Sequence, residues 1–132
     1  YRTFHARHPS DRKRFSSKVT WGKRCVTHYD ALALLGDGER AAALVRFRLE
    51  TGRTHQIRVH AADHGWPLLG DTLYGKAPKA LAEIARTLGR QALHAALLAF
   101  DHPVTNERLR FESPLPADLE TALIALASAD SR

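Results

Sequence analysis

Leu49–Gly75, LETGRTHQIRVHAADHGWPLLGDTLYG, concentrates side chains that could do chemistry. It holds two arginines, three histidines and a glutamine between a strand-like run and a Gly-Asp turn. Polar groups of this kind are costly to bury without partners. We therefore expect them either to face a ligand or to form a hydrogen-bonded network.

The histidines raise the question of a metal site. On a helix His60 and His64 would share a face and His55 would not, and neither a cysteine nor a well-placed acid completes a tetrahedral set. Cys25 lies in a predicted strand without an evident base, and none of the serines lies in a glycine-rich elbow. The glycines form neither common phosphate-binding loop. The pattern predicts no metal and no serine or cysteine nucleophile.

The two arginines fit an anion better. Arg53 precedes a predicted helix N-terminus and Arg58 lies one turn inside it. Both features favour a phosphate, or a carboxylate from elsewhere in the protein. A structural role, with the arginines bonded to local carbonyls, is the alternative.

The surrounding elements are predicted from periodicity. Lys23–Leu35 and 42–50 alternate and are joined by turn residues, which predicts an antiparallel hairpin with one wet face. Thr54 is expected to cap a helix running from His55 to about Asp63. Further along we predict a short strand and turn in 67–75, a helix in 77–90, a strand in 91–103, a returning strand at 108–112 and a helix in 115–127. Helix is a rival for 91–103. The mixture indicates an α+β fold with mainly antiparallel pairing.

Composition limits the class of protein. The 132 residues suit one domain, no apolar run reaches the roughly 20 residues of a membrane span, and the first residues show no signal-peptide core. A single cysteine fits a reducing, cytoplasmic setting. The absence of methionine suggests a piece of a longer or processed protein.

The charge suggests the partner. A net charge of +6 favours a polyanion, nucleic acid above all, although a generally basic proteome is the alternative. We expect residues 1–22 to form a basic, extended leading segment. Basic residues crowd the first part of the chain: Arg2, Arg7, Arg12, Lys13, Arg14, Lys18, Lys23 and Arg24.

The segment TGRTHQIRVHAADHGWPLLGDTLYG closely resembles the signature of the RluA-type pseudouridine synthases. TWGKRCVTHYDAL and LHAALLAFDHPVTNERLRFESPLPADL resemble further family segments in the same order, so the likeness runs from Trp21 to Leu119. It implies an enzyme that isomerises uridine to pseudouridine in ribosomal or transfer RNA, without cofactor or metal. The target base has to leave its stack.

The resemblance also implies residue roles. Arg58, in HQIR, would pair with the family's catalytic aspartate and hold it ionised. Arg53, His55 and Gln56 would shape the wall of the active site or meet RNA, and Leu93 would supply an apolar wall. Asp71 and Tyr74 would brace the following turn.

The sequence departs from the family in lacking its H-R-L-D segment, which carries the catalytic aspartate. We therefore expect 1–132 to be a single partial domain, the C-terminal half of the catalytic domain. Alone it should be inactive and monomeric, with the missing N-terminal half as its partner. The alternative is a non-catalytic RNA-binding module derived from the family, or a structural fragment.

Overall fold

The computed structural model describes residues 1–11, 13–18 and 21–128. Within them it combines antiparallel sheets with helices, so the predicted α+β class is confirmed. One sheet has the strand order β2-β1-β3-β4 and a second sheet pairs β5 with β6. The strands are β1 (Arg2–Arg7), β2 (Phe15–Ser16), β3 (Lys23–Leu35), β4 (Ala42–Leu49), β5 (Leu97–Asp101) and β6 (Arg108–Glu112).

Three α-helices lie in the described part of the chain: α1 (Gln56–Asp63), α2 (Ala82–Leu88) and α3 (Ala117–Ser128). The predicted helix in 77–90 is α2 with a preceding 3₁₀ turn at Lys79–Leu81, and Gly89 ends it in the left-handed conformation. Across the described ranges, none of the helices has the length and apolar character needed to cross a membrane.

The β3–β4 hairpin is confirmed. Tyr29 pairs with Phe47 and Asp30 with Arg46, so the strands present different faces at alternate residues. On the polar face an Arg46 nitrogen lies 3.4 Å from an Asp30 oxygen. A register shift between Ala31 and Ala33 interrupts the ladder, as a bulge does.

The leading segment joins the larger sheet. β1 pairs antiparallel with β3, placing Arg2 opposite Val26, and β2 pairs with the end of β1. Its basic side chains at Arg2, Arg7 and Lys13 are exposed. Residues 12, 19 and 20 of this segment lie outside the described part of the chain, and Arg12 is one of the basic residues predicted for it.

The core forms where α1 packs on β3. Cys25 and Thr27 on the strand and Val59 and His60 on the helix are all fully buried. A second group of buried side chains joins α2 to α3: Leu81, Leu88, Leu119, Ala122 and Leu126. The first of these cores fixes α1, which carries the HQIR residues.

The expected strand in 67–75 is wrong, because consecutive turns take its place. The Ala92 N–H donates to the Leu69 carbonyl at 2.7 Å, so this segment is tied to the chain after α2. Gly70 has φ of +81°, and a Cβ there would lie 2.0 Å from the Arg90 carbonyl oxygen. Only glycine tolerates both the conformation and this approach. Residues 91–96 are irregular, so the strand predicted in 91–103 is confined to β5.

Apolar side chains are exposed on the second sheet. Leu97, Leu98 and Phe111 are 52%, 60% and 55% exposed, although they lie on paired strands. Within the described residues β4 is also an outer strand, with one edge of its backbone unpaired. Faces and edges of this kind usually mark an interaction surface.

Candidate active site

The helix bearing HQIR begins one residue later than predicted. His55, expected as the first helical residue, has a φ of 56° in the left-handed region and serves as the N-cap of α1. A non-glycine residue seldom adopts this conformation. Its carbonyl accepts the Val59 N–H at 2.8 Å, so the helix is hydrogen-bonded from that point. Thr54 therefore lies outside the capping position assigned to it.

Gln56 anchors the loop before α1 to the sheet. Its Oε1 accepts the backbone N–H of Arg53 at 2.9 Å and the hydroxyl of Thr51 at 2.8 Å. Its Nε2 donates to the Val26 carbonyl at 2.9 Å and to the Thr27 hydroxyl at 2.8 Å. Only 3% of the residue is exposed. Both polar atoms of the Gln56 side chain are therefore hydrogen-bonded within the protein, as a buried amide requires. These bonds connect the loop before α1 to β3.

Arg58 forms a two-pronged ion pair with Asp71. Nε lies 2.9 Å from Oδ2, and Nη2 lies 2.8 Å from Oδ1. The side chain of Asp71 is 0% exposed and that of Arg58 is 15% exposed. Oδ1 of Asp71 also accepts the N–H groups of Leu73 and Tyr74, which holds the turn. A carboxylate enclosed in this way cannot reach a substrate, so Asp71 does not substitute for the family's catalytic aspartate.

Tyr74 links three parts of the site. Its hydroxyl accepts the Phe15 N–H at 2.9 Å and lies 2.7 Å from Nδ1 of His55. The guanidinium carbons of Arg58 and Arg14 lie 5.2 and 5.5 Å from the centre of its ring. These are cation–π distances. Tyr74 therefore joins the leading segment to α1 and to the turn after it.

The surroundings shift the pKa values of His55, Asp71 and Arg58. Burial lowers the pKa of His55, and the Arg58 cation lowers it further, so the ring is neutral near pH 7. Burial alone would raise the pKa of Asp71, but hydrogen bonds from Arg58 and from the Tyr74 and Leu73 backbone bring it below its usual value. The bond to Asp71 raises the pKa of Arg58. The site thus contains a permanent ion pair beside a neutral imidazole.

All five residues assigned to the site from the sequence lie around one cavity of about 470 Å³: Arg53, His55, Gln56, Arg58 and Leu93. Arg53 donates from Nε to the Arg24 carbonyl at 2.9 Å. The Leu93 carbonyl accepts a hydrogen bond from Arg90 at 3.1 Å. The fold therefore brings together residues that are 40 positions apart in the sequence, among them two cations and an apolar side chain.

Sequence reasoning missed some of this cavity and the partner of Arg58. Leu49, Gly52, Ile57 and Gln91 complete the lining. Asp71 was expected only to brace its own turn, whereas it also holds Arg58. The available signal was Asp71 itself, a lone charged residue in the run 65–75.

The ring nitrogens of the histidines bond to different partners. His60 is fully buried, and its two ring nitrogens lie 2.7 Å from the Thr27 hydroxyl and 2.6 Å from the Thr3 hydroxyl. His64 is exposed and stacks on Tyr1 at 3.8 Å between ring centres. No group of three or more potential metal ligands from His, Cys, Asp and Glu occurs among the described residues.

Comparison with known proteins gives the class. A family model described as RNA pseudouridylate synthase matches residues 3–63. The fold is similar to that of human RNA pseudouridylate synthase domain containing 1, with a TM-score of 0.67 and 23% identity over 92% of this chain and 50% of that one. At this level of identity the likeness concerns the fold.

Curated relatives are closer in sequence. The chain is 46% identical to ribosomal large subunit pseudouridine synthase D of Vibrio cholerae, over 89% of this chain and 37% of that protein. It is 44% identical to the protein of the same name in Xanthomonas campestris, over 96% of this chain and 39% of that protein. The chain belongs to the pseudouridine synthase family. It spans less than two fifths of the length of these relatives.

Proposed function

We propose that this chain forms one wall of the active site of an RluA-type pseudouridine synthase. The observation that carries the proposal is Arg58, which lines the cavity on α1 while its guanidinium is held by buried Asp71. In the reaction the bond from uracil N1 to the ribose breaks, the base rotates, and C5 joins the sugar. Arg58 supplies fixed positive charge beside the aspartate that performs this chemistry.

The geometry refines how Arg58 would meet that aspartate. Its Nε–Nη2 edge is already occupied by Asp71, so a second carboxylate would approach the outer end of the guanidinium, at Nη1 and the second hydrogen of Nη2. Among the described residues Nη1 has no hydrogen-bond partner of its own. Arg58 would therefore bridge two carboxylates, one structural and one reactive. Charge-assisted bonds to an arginine fork accommodate this arrangement.

The second carboxylate would come from the remainder of the family's domain. The sequence has no H-R-L-D segment, and the chain spans only 37% of the Vibrio cholerae relative. The exposed apolar residues of β5 and β6 and the open edge of β4 offer a surface on which that remainder would pack. Alone, the chain would lack both the reactive group and the opposite wall.

Ribosomal RNA is the substrate that we favour over transfer RNA, because the curated relatives carry ribosomal large subunit in their names. Arg2 and Arg7 on β1 and Lys13 in the loop after it are exposed. They would bind phosphates around the target base. We also propose a cytoplasmic location, because Cys25 is a free cysteine and a reducing compartment keeps such a thiol reduced.

The test is release of tritium from RNA labelled at C5 of uridine. The chain is assayed alone, then mixed with the separately produced remainder of the synthase, then as the complete synthase. We expect release from the complete synthase and from the mixture, and none from the chain alone.

Each result separates the alternatives. Inactivity of the complete synthase, with RNA still bound, would replace our proposal by the RNA-binding module. Release by the chain alone would show that it contains its own reactive group and would overturn the proposed division. The matched control is the same mixture with Arg58→Lys in this chain, because lysine keeps the positive charge but lacks the planar guanidinium fork.

A further inference from the structure

Asp71 is enclosed more completely than its place in a surface turn requires. Its side chain is 0% exposed, and its two oxygens accept four hydrogen bonds. Two come from backbone N–H groups of its own turn, at 3.1 Å from Leu73 and 3.2 Å from Tyr74. The shorter two come from Arg58, at 2.9 and 2.8 Å. Burying a carboxylate this fully is costly unless its charge is paired and both oxygens are hydrogen-bonded, which is the case here.

The two oxygens do different work. Oδ1 accepts both backbone groups and Nη2, so it alone is sufficient to hold the turn. Oδ2 has a single partner, Nε of Arg58. The Oδ2–Nε bond therefore adds nothing to the turn, and its effect is to fix the rotation of the guanidinium about its long axis. The Tyr74 ring, 5.2 Å from the guanidinium carbon, restricts the same group from another direction.

We infer that Asp71 is a positioning residue for catalysis, which acts through Arg58 and never touches the RNA. This inference rests on the function proposed above. Asp71 fixes the Nε–Nη2 edge, and the side chain of Arg58, which borders the cavity, is thereby held in one orientation. A mobile arginine would meet the reactive aspartate in many geometries, of which few are productive, and small misplacements of a reacting group reduce turnover strongly.

Asp71→Asn separates the two roles. The asparagine carbonyl replaces Oδ1 and keeps the bonds to Leu73, Tyr74 and Nη2. Its amide replaces Oδ2 and turns a donor toward the Nε–H of Arg58, so that contact becomes donor against donor. The variant retains the turn and leaves the guanidinium a single bond through Nη2, about which it can rotate. Asp63→Asn is the matched control, since Asp63 is also a partly buried aspartate and accepts from the Ser17 N–H and hydroxyl at 2.8 and 2.7 Å.

The experiment measures kcat and KM of the complete synthase carrying each variant. We expect Asp71→Asn to lower kcat about 100-fold, as a loss of alignment does, with KM for RNA nearly unchanged. Asp63→Asn should leave both values near those of the parent. An Asp71→Asn synthase with parental kcat would overturn the inference, and so would one in which kcat is retained and only KM rises.

A double-variant cycle distinguishes positioning from general support of the fold. Arg58→Lys already lacks the Nε–H, so adding Asp71→Asn to it should cost little more activity if Asp71 acts through Arg58. Full additivity of the two losses would assign Asp71 a purely structural role. The Arg58 Nε–H resonance gives a readout that is independent of activity. We expect a slowly exchanging signal in the parent that is lost in Asp71→Asn. If the synthase proves inactive but this signal behaves as expected, the proposed function fails while the positioning of Arg58 stands.

Discussion

The hydroxyl of Tyr74 lies 2.7 Å from Nδ1 of His55, across the turn that follows α1. Because this oxygen also accepts the Phe15 N–H, its own hydrogen is free to be donated to Nδ1. Burial and the Arg58 cation lower the pKa of His55, which keeps the ring neutral. The cavity is thus bordered by a neutral imidazole that the Tyr74 hydroxyl holds in place.

Tyr74→Phe tests this relationship through stability. It leaves the buried Phe15 N–H without its acceptor and removes the partner of His55, for which we expect a loss of about 1–3 kcal/mol in the free energy of unfolding. Urea titration of the complete synthase followed by tryptophan fluorescence measures it. Tyr29→Phe is the control because Tyr29 is 44% exposed, and it should change stability by less than about 0.5 kcal/mol. Equal losses for the two variants would contradict the assigned bonds.

Arg58→Ala should abolish turnover with little loss of RNA binding. The variant removes the cation beside the reactive aspartate while it leaves the phosphate contacts of the basic residues in place. It also leaves the carboxylate of Asp71 buried and unpaired, for which we expect a further cost of about 3–5 kcal/mol in stability. Tritium release and RNA titration at a temperature below unfolding separate the two effects.

The pair Arg58→Ala with Asp71→Asn provides the stability control. Neutralising Asp71 removes the unpaired buried charge, so the double variant should recover part of the lost stability without regaining turnover. Recovery of activity in the double variant would show that Arg58 is dispensable for the reaction.

The sequence predicted much of the fold and left specific gaps. The bounds of β3 and its antiparallel pairing with β4 follow from alternation and from the turn residues between the strands. The single wet face expected of this hairpin is wrong, because both faces of β3 are exposed from Tyr29 to Leu34. The bulge between Ala31 and Ala33 does not, because either register satisfies an apolar run. The left-handed His55 and the irregular residues 67–75 were also missed. Their conformations depend on tertiary contacts, such as that between Tyr74 and His55.

The candidate site, like the fold, could be predicted from the sequence only in part. The spacing of the HQIR residues placed Arg58 on α1, and the family resemblance suggested a carboxylate partner. Sequence alone could not show that Asp71 occupies one edge of the guanidinium, because this depends on how the turn after α1 folds back. Gln56 similarly reads as a ligand group, but the fold uses its four bonds internally. The roles of Arg53, His55 and Leu93 toward RNA stay predictions.

RNA affinity of the complete synthase should fall with salt. If the basic leading segment and its neighbours neutralise five phosphates of a single strand, the plot of log affinity against log salt should have a slope of about −3.5. Replacing Lys13, which is exposed, by glutamine should reduce the slope by about 0.7. Binding measured by fluorescence anisotropy across salt concentrations tests both values, and a flat response would remove the electrostatic argument.

The apolar surface of β5 should be required for assembly with the rest of the domain. Leu98 is 60% exposed here. Leu98→Lys would place a charge in the expected contact and should weaken the association of the two parts at least tenfold, since burying an unpaired charge is unfavourable. Leu98→Val keeps the surface apolar and serves as the control. Calorimetric titration of one part with the other gives the affinity, and equal affinities for both variants would exclude this surface from the interface.

The stability of the fold should fall in mild acid because of His60. Burial lowers the pKa of His60 from 6.5 to about 4, and both ring nitrogens are engaged by threonine hydroxyls. A histidine whose pKa is lower in the folded state binds its proton more readily when unfolded. Its stabilising effect is therefore complete above about pH 6.5 and is lost as the pH falls toward 4. A shift of this size corresponds to about 3 kcal/mol at most.

Unfolding of the complete synthase in urea between pH 4 and pH 7 measures this dependence. The decline should become shallower in His60→Gln, although that variant also loses some stability at pH 7 because its shape and bonds differ. His94→Gln is the matched control, since the ring of His94 makes its hydrogen bond to the Ser113 carbonyl at an exposed position. Two results would assign the acid sensitivity to another group. One is a His60→Gln variant whose unfolding free energy falls with pH as steeply as that of the parent. The other is a His94→Gln variant whose unfolding free energy falls less steeply.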